Sequence, residues 1–185
     1  MNNNSISLKF FKNNDLPKSK SKYLGCPSLP EKWLDNIDLF DDNDIFICQI
    51  NLEDLIEYSV PVEKKGILYF FVNLESKSGK VLFAKNENLV TVDFNEGNSI
   101  GDLSNSYAIE FNINNEIYLD GCKLFGQPVN NDKFNEKEEI LLLQIDTLQD
   151  DNILLQNEDY IFQFIIKNSD FINKNFSNIK FNFIA

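Results

Sequence analysis

The chain has 185 residues, enough for one domain or two small packed halves, and its 43% hydrophobic residues, including 17 phenylalanines, are too many for a disordered chain. Its 17 basic residues stand against 29 acidic ones, and the net charge of −12 repels both nucleic acids and anionic membrane surfaces. The sequence contains no histidine, which excludes Ser-His and Cys-His nucleophile systems and most zinc sites.

The cysteines and the N-terminal residues indicate the compartment. Cys26, Cys48 and Cys122 are an odd number without a C-x-x-C pair, so the sequence supports neither a disulfide framework nor a zinc site. Residues 1–12 lack the basic and apolar regions of a signal peptide, and no apolar run approaches the ~20 residues that span a bilayer. We therefore expect a cytoplasmic protein without membrane contact.

In chain order, the first predicted element is a half-buried strand at residues 6–10, where apolar and polar residues alternate. An irregular, proline-containing loop follows at 13–30. Continuous apolar runs at 45–50 and 67–72 predict two strands that are buried on both faces. Between these runs, Asn51 resembles an N-cap, so we expect a turn or two of helix there.

The second half of the chain repeats this organisation. Alternating patterns predict half-buried strands at residues 90–94, 109–113 and 179–183, with turns at 73–79 and 95–106. Apolar runs at 140–145 and 161–166 predict two more central strands, and a second short helix is expected from about Ser169 to Asn175. Four central side chains are expected to be largely buried: Ile50, Phe70, Ile145 and Phe164.

Three short blocks recur in the same order about 100 residues apart. Residues 22–27 match 123–128 at their Lys, Gly and Pro positions, 45–51 match 140–146 around a glutamine, and 68–72 match 162–166 more weakly. A shared bias toward Phe, Ile and Asn is the alternative explanation. The sequence thus predicts a single α+β domain, predominantly antiparallel β. We expect two imperfect copies of one β-rich unit, at about 22–75 and about 123–185, with a few short helices.

No nucleotide-binding or catalytic motif occurs, and seven glycines are too few and too scattered for a phosphate-binding loop. Two acidic stretches are the sole candidates for a hard-cation site, but they lack the glycine and terminal glutamate of a calcium loop, which favours solvated loops. These stretches consist of Asp35, Asp38, Asp41, Asp42 and Asp44 in one half, and of Asp146, Asp150, Asp151, Glu158 and Asp159 in the other. We expect no catalytic residue, no metal and no cofactor.

Four further residues are candidate partner or groove positions, together with Asp41, Asp42 and Asp44. Gln49 and Gln144 lie inside apolar strands, so their amides either satisfy backbone groups of a neighbouring loop, the favoured interpretation, or line a shared groove. Tyr23 and Trp33 lie near Gly25 and Pro27 and form either an exposed aromatic anchor or ordinary core packing.

The chain resembles the YwqG-like family of bacterial domains from about Lys22 to Phe183. The resemblance rests on Lys22-x-x-Gly25-x-Pro27-x-Leu29-Pro30, Ile47-Cys48-Gln49-Ile50-Asn51-Leu52, Lys65-Gly66-Ile67-Leu68-Tyr69-Phe70-Phe71-Val72, Lys123-Leu124-Phe125-Gly126-x-Pro128, Leu141-Leu142-Leu143-Gln144-Ile145-Asp146 and Asp170-Phe171 with Asn175-Phe176-Ser177-Asn178-Ile179. It implies a cytosolic, duplicated, mainly antiparallel β fold without an accepted activity.

Two positions depart from the family pattern. The family usually carries a histidine where this chain has Cys122, and a Gly-Asp-x-Gly segment where it has Asn157-Glu158-Asp159-Tyr160. Any activity that depends on those positions is absent here.

Three functions fit the sequence. The first is a non-enzymatic binding protein whose acidic surface contacts a basic protein, as an immunity protein contacts a toxin. The second is a carboxylate-dependent hydrolase or metal-dependent enzyme, and the third is a module that binds a small ligand in a cleft between the two halves. Carboxylates spread over one face favour the first function, whereas two or three that converge in a buried cleft favour an enzyme. We expect the first function.

Overall fold

The computed structural model describes residues 5–36, 38–58, 65–85, 87–94, 103–114, 120–148 and 160–185. The strands among them are β1 (Ser5–Lys12), β2 (Lys22–Tyr23), β3 (Ser28–Pro30), β4 (Ile45–Asn51), β5 (Ile67–Asn73), β6 (Ser78–Ala84), β7 (Leu89–Thr91), β8 (Tyr107–Asn114), β9 (Lys123–Leu124), β10 (Glu139–Asp146), β11 (Ile161–Lys167) and β12 (Lys180–Ile184). One α-helix, α1 (Asn168–Ile172), and 3-10 helices at Glu31–Trp33, Leu52–Leu55 and Phe176–Asn178 complete the regular structure of the described residues.

The expected α+β class is wrong, because the fold is nearly all β. After Asn51, whose side chain accepts a hydrogen bond from the Glu53 amide, the chain makes a 3-10 helix of four residues. The second predicted helix is α1, which has five residues. Both segments are too short to offset the cost of helix nucleation without the surrounding sheet. No helix in the described part of the chain is long and apolar enough to cross a membrane.

Ten strands form one antiparallel sheet in the order β12-β11-β10-β9-β1-β8-β2-β4-β5-β6, and β3 pairs with β7 in a separate ribbon. The two end strands, β12 and β6, come into contact, so the large sheet is nearly closed. Gly79 of β6 marks this contact, since a Cβ atom there would overlap the ring of Phe181 in β12. We call this contact the seam.

The main core fills the inside of the curved sheet. The four side chains expected there, Ile50, Phe70, Ile145 and Phe164, are all buried, with at most 1% of their surface exposed. The rings of Phe70 and Phe164 meet edge to face at 5.2 Å and join the two halves of the sheet. The prediction that β4, β5, β10 and β11 are buried strands is confirmed. The prediction that they are the central strands is wrong, because each lies second or third from an end of the large sheet.

A second, smaller apolar cluster covers the outer face of β4, β5 and β6. It contains the buried side chains of Leu29, Phe46 and Tyr69, with Trp33 and Phe40 packed against them. The residues around Leu29, Trp33 and Phe40, which precede β4 in the chain, therefore pack on this face of the sheet.

Both ends of the large sheet show the same contacts in the same order. Gln49 of β4 lies opposite Lys22 of β2, and Gln144 of β10 lies opposite Lys123 of β9. The pairing of β4 with β5 and that of β10 with β11 each contain one register shift. A pair of left-handed residues follows each lysine strand, at Leu24 and Gly25 and again at Phe125 and Gly126. These contacts are what a duplication predicts, and common descent of the two halves stays a prediction.

Candidate functional site

Gln49 is fully buried and binds backbone groups of the segment between β1 and β4. Its Oε1 accepts a hydrogen bond from the Ser28 amide at 2.9 Å, and its Nε2 donates to the carbonyls of Lys18 and Lys20, both at 2.8 Å. Both polar atoms of the Gln49 side chain therefore form hydrogen bonds with backbone groups of the same chain. These contacts fit the structural interpretation of this glutamine.

Gln144 makes the corresponding contacts in the second half and is also fully buried. Its Oε1 accepts from the amide of Val129 at 3.0 Å and from Nε2 of Gln163 at 3.1 Å, and its Nε2 donates to the carbonyl of Gly121 at 2.9 Å. Gln163 in turn accepts from Nδ2 of Asn182 at 3.2 Å. A chain of amides thus runs from the buried glutamine to the edge strand β12.

Tyr23 is not an exposed anchor, because only 2% of its surface is accessible. Its ring stacks on Phe10 with 4.1 Å between centroids, inside the main core. Trp33 is half-buried and meets Tyr69 edge to face at 5.3 Å on the outer cluster. Tyr23 and Trp33 therefore pack on opposite faces of the sheet.

Lys22 and Lys123 are two buried lysines that were not predicted from the sequence. Nζ of Lys22 donates to the carbonyl of Cys26 at 2.7 Å, and Nζ of Lys123 donates to the carbonyl of Gln127 at 2.6 Å. Burial lowers the pKa of Lys22, and it lowers the pKa of Lys123 to about 8. The recurring Lys-x-x-Gly-x-Pro pattern could have indicated these lysines, because it places a lysine at the same position in both halves. Both lysines are buried.

The cysteines do not resemble nucleophiles. Burial raises the pKa of Cys26, with Asp93 adding to the effect, and burial raises the pKa of Cys48 well above its usual range. The third cysteine, Cys122, is buried as well, and its Sγ donates to the carbonyl of Asp146 at 3.4 Å. Because the thiolate is the reactive form, these thiols are poorly suited to covalent chemistry at neutral pH.

An acidic loop covers the outer face of the first half. We use this name for residues 31–36 and 38–44, which precede β4 and contain one lysine. The exposed carboxylates of the acidic loop belong to Glu31, Asp35, Asp38, Asp41 and Asp42. The exposed side chain of Leu34 lies among them, with 47% of its surface accessible.

The acidic loop is anchored to strands β5 and β6 of the sheet. The ring of Phe40 packs on Phe71 at 5.3 Å, and Nζ of Lys80 in β6 donates to the carbonyl of Leu39 at 2.9 Å. The same ammonium pairs with the carboxylate of Asp44 at 2.6 Å, and that carboxylate also accepts from the Asp41 amide at 3.0 Å. Asp44, expected as a partner position, is instead buried and orders the acidic loop.

The acidic side chains do not form a metal site in the described residues. Nowhere in that part of the chain do three or more cysteine, aspartate or glutamate side chains come close enough to hold a cation. Of the second acidic stretch, Asp150, Asp151, Glu158 and Asp159 lie outside the described residues.

A cleft of about 450 Å³ opens at the seam. Lys77, in the turn between β5 and β6, contributes one wall, and residues 181–184 of β12 contribute another. Asn130 and Asn131, in the segment between β9 and β10, also line the cleft. The cleft therefore joins side chains from both halves of the sheet.

Comparison with known families and proteins gives no identification. No family model matches the chain, and no curated protein matches it either. The resemblance to the YwqG-like family accordingly stays an expectation.

Proposed function

We propose that this protein is a non-enzymatic binding protein that contacts a basic protein partner through the acidic loop. The observation that carries the proposal is the exposure of five carboxylates on one ordered loop. They project outward and do not converge in a desolvated cleft, which is the arrangement that favours a partner surface over a catalytic centre. We place this function in the cytoplasm.

The anchoring of the acidic loop supports this role. Phe40 and the Asp44–Lys80 pair fix the loop before any partner arrives, so that less conformational entropy is lost on binding. Leu34 offers a small apolar contact inside the charged rim. Charge complementarity accelerates association with a basic partner by about 10-fold to 1,000-fold, and this acceleration falls with salt.

The test uses two variants with the same net charge. The first replaces four exposed carboxylates of the acidic loop: Asp35→Asn, Asp38→Asn, Asp41→Asn and Asp42→Asn. The control replaces four exposed carboxylates elsewhere: Asp15→Asn, Glu57→Gln, Asp132→Asn and Glu138→Gln. Each variant has a net charge of −12 + 4 = −8, so the two differ only in where charge was removed.

Wild type and both variants are used as immobilised bait for a lysate of the source cell, and the captured proteins are quantified. We expect a basic protein that wild type and the control capture and that the loop variant loses. Its purified form should associate at a rate that falls steeply as ionic strength rises through the physiological range. Equal capture by the loop variant, or a salt-insensitive association rate, contradicts the proposal.

A further inference from the structure

We propose that the cleft at the seam is a binding site for a small anion, a carboxylate or a phosphate ester that also carries hydrogen-bonding groups. This site is separate from the acidic loop and does not depend on the proposed function. Its volume of about 450 Å³ lies within the range of small-molecule sites.

The charge of the lining selects an anion. Among the described residues that line the cleft are one ammonium group, that of Lys77, and three carboxamides, those of Asn130, Asn131 and Asn182, but no carboxylate. Among the described residues no carboxylate pairs with Lys77; its Nζ lies 5.3 Å from the centroid of Phe183. The negative net charge of the protein repels an anion at long range. At 0.1 M salt this repulsion is screened beyond about 10 Å, so the groups that line the cleft determine whether an anion binds.

The carboxamides supply the hydrogen bonds. Nδ2 of Asn131 is buried and has no hydrogen-bond partner among the described residues, a state that is unfavourable for a buried donor. Because the amide torsion of asparagine is broad, a small rotation turns this donor toward a ligand acceptor. A bound anion would satisfy it, whereas the described residues offer it no acceptor.

The wall opposite Lys77 is already ordered. Asn182 is held by its hydrogen bond to Gln163, and Gln163 donates to both Gln144 and the carbonyl of Val129. The strand that carries Asn182, β12, ends the large sheet and is hydrogen-bonded on one side only, so alternate backbone N–H groups face away from β11. The buried glutamine network thereby positions polar groups at the cleft.

Aromatic stacking with a neutral sugar is the competing chemistry. The Lys77 ammonium already lies over the ring face of Phe183. A sugar would have to displace the ammonium, while an anion would keep it in place. The geometry therefore points to an anion.

The experiment is an NMR titration of the full chain with three probes: citrate, inorganic phosphate and glucose. We expect citrate or phosphate to shift the side-chain amide signals of Asn131 and Asn182, and glucose to leave them unchanged. A response to citrate alone assigns a carboxylate ligand, and a response to phosphate assigns a phosphate group.

Two variants decide whether the shifts report this site. Lys77→Asn removes the charge, and asparagine tolerates the left-handed backbone of that position, where φ is 50°. We expect on the order of ten-fold weaker binding for Lys77→Asn and unchanged binding for the matched control Lys133→Gln, whose exposed lysine lies outside the lining.

Asn131→Ala separates binding from folding. It removes the unpaired donor, so the variant should unfold no more easily than wild type and yet bind the anion more weakly. The absence of any shift with both anions, a shift that Lys77→Asn leaves intact, or binding of glucose alone would overturn the proposal.

Discussion

Lys22 and Lys123 place ammonium groups where water has little access, with 4% and 0% of their surface exposed. Each ammonium donates to a carbonyl of the loop that follows its own strand. Keeping a charge in this position is costly, and the lowered pKa values express that cost. These lysines therefore hold the loops in place at the expense of stability at neutral pH.

The stability of the protein should depend on pH through Lys123. The pKa of Lys123 is about 8 in the folded chain, against 10.5 for a solvated lysine such as the unfolded chain exposes. Between pH 8 and pH 10.5 the unfolded chain therefore binds more protons than the folded chain. The free energy of unfolding must then rise with pH across this window, while below pH 8 the cost of the buried charge is fully present. Lys123→Met keeps the length of the side chain but has no titrating group.

Urea unfolding of both chains at several pH values around this window provides the measurement. Wild type should gain stability relative to Lys123→Met as pH rises. Tyr69, Cys26 and Cys48, whose pKa values are raised by desolvation, act in the opposite direction but are common to both chains. Parallel curves for the two chains would show that Lys123 does not titrate in this window.

At the scale of elements, the apolar runs predicted the strands that are buried on both faces, because continuous burial leaves a direct trace in the sequence, but they did not predict the positions of these strands near the ends of the sheet. Helices were overestimated, since an N-cap signal at Asn51 also suits a single 3-10 turn. Strand β6 was missed, because its first residues read as a turn and its side chains do not alternate cleanly. Two-residue strands such as β2 and β9 carry no periodic signal at all.

The contact between β5 and β11 depends on Phe70 and Phe164, which are fully buried. Truncation of either ring, Phe70→Ala or Phe164→Ala, should cost about 3 to 5 kcal/mol, because transfer energy is lost and a cavity remains. Since the rings touch, the double variant should lose less than the sum of the two single losses.

Denaturant unfolding of the single and double variants measures these costs. Phe11→Ala is the matched control, because 52% of the surface of Phe11 is exposed and its loss should change stability by less than about 1 kcal/mol. Unfolding of Phe70→Ala like that of wild type would contradict the placement of this ring in the core.

For the whole molecule, the sequence predicted antiparallel strands but not that the sheet curves until β6 meets β12. That contact joins residues 78–84 to residues 180–184, and no local pattern encodes a contact between segments so far apart in the sequence. The acidic loop gives a second example of a feature that depends on distant residues. Its charges could be read from the sequence, but the burial of Asp44 depends on its ion pair with Lys80 in β6.

Closure of the sheet can be tested at Gly79. A Cβ atom there would lie 2.8 Å from Cε1 of Phe164 and closer still to the ring of Phe181, so the strands would have to separate. Gly79→Ala should therefore destabilise the chain by about 1 to 3 kcal/mol, as overpacking generally does.

Phe181→Leu removes part of the obstructing ring, so the two substitutions should compensate in a double-mutant cycle measured by thermal and urea unfolding. The exposed neighbour Ser78→Ala serves as control. If Gly79→Ala unfolds like wild type, or if Phe181→Leu gives no compensation, β6 and β12 do not meet as described.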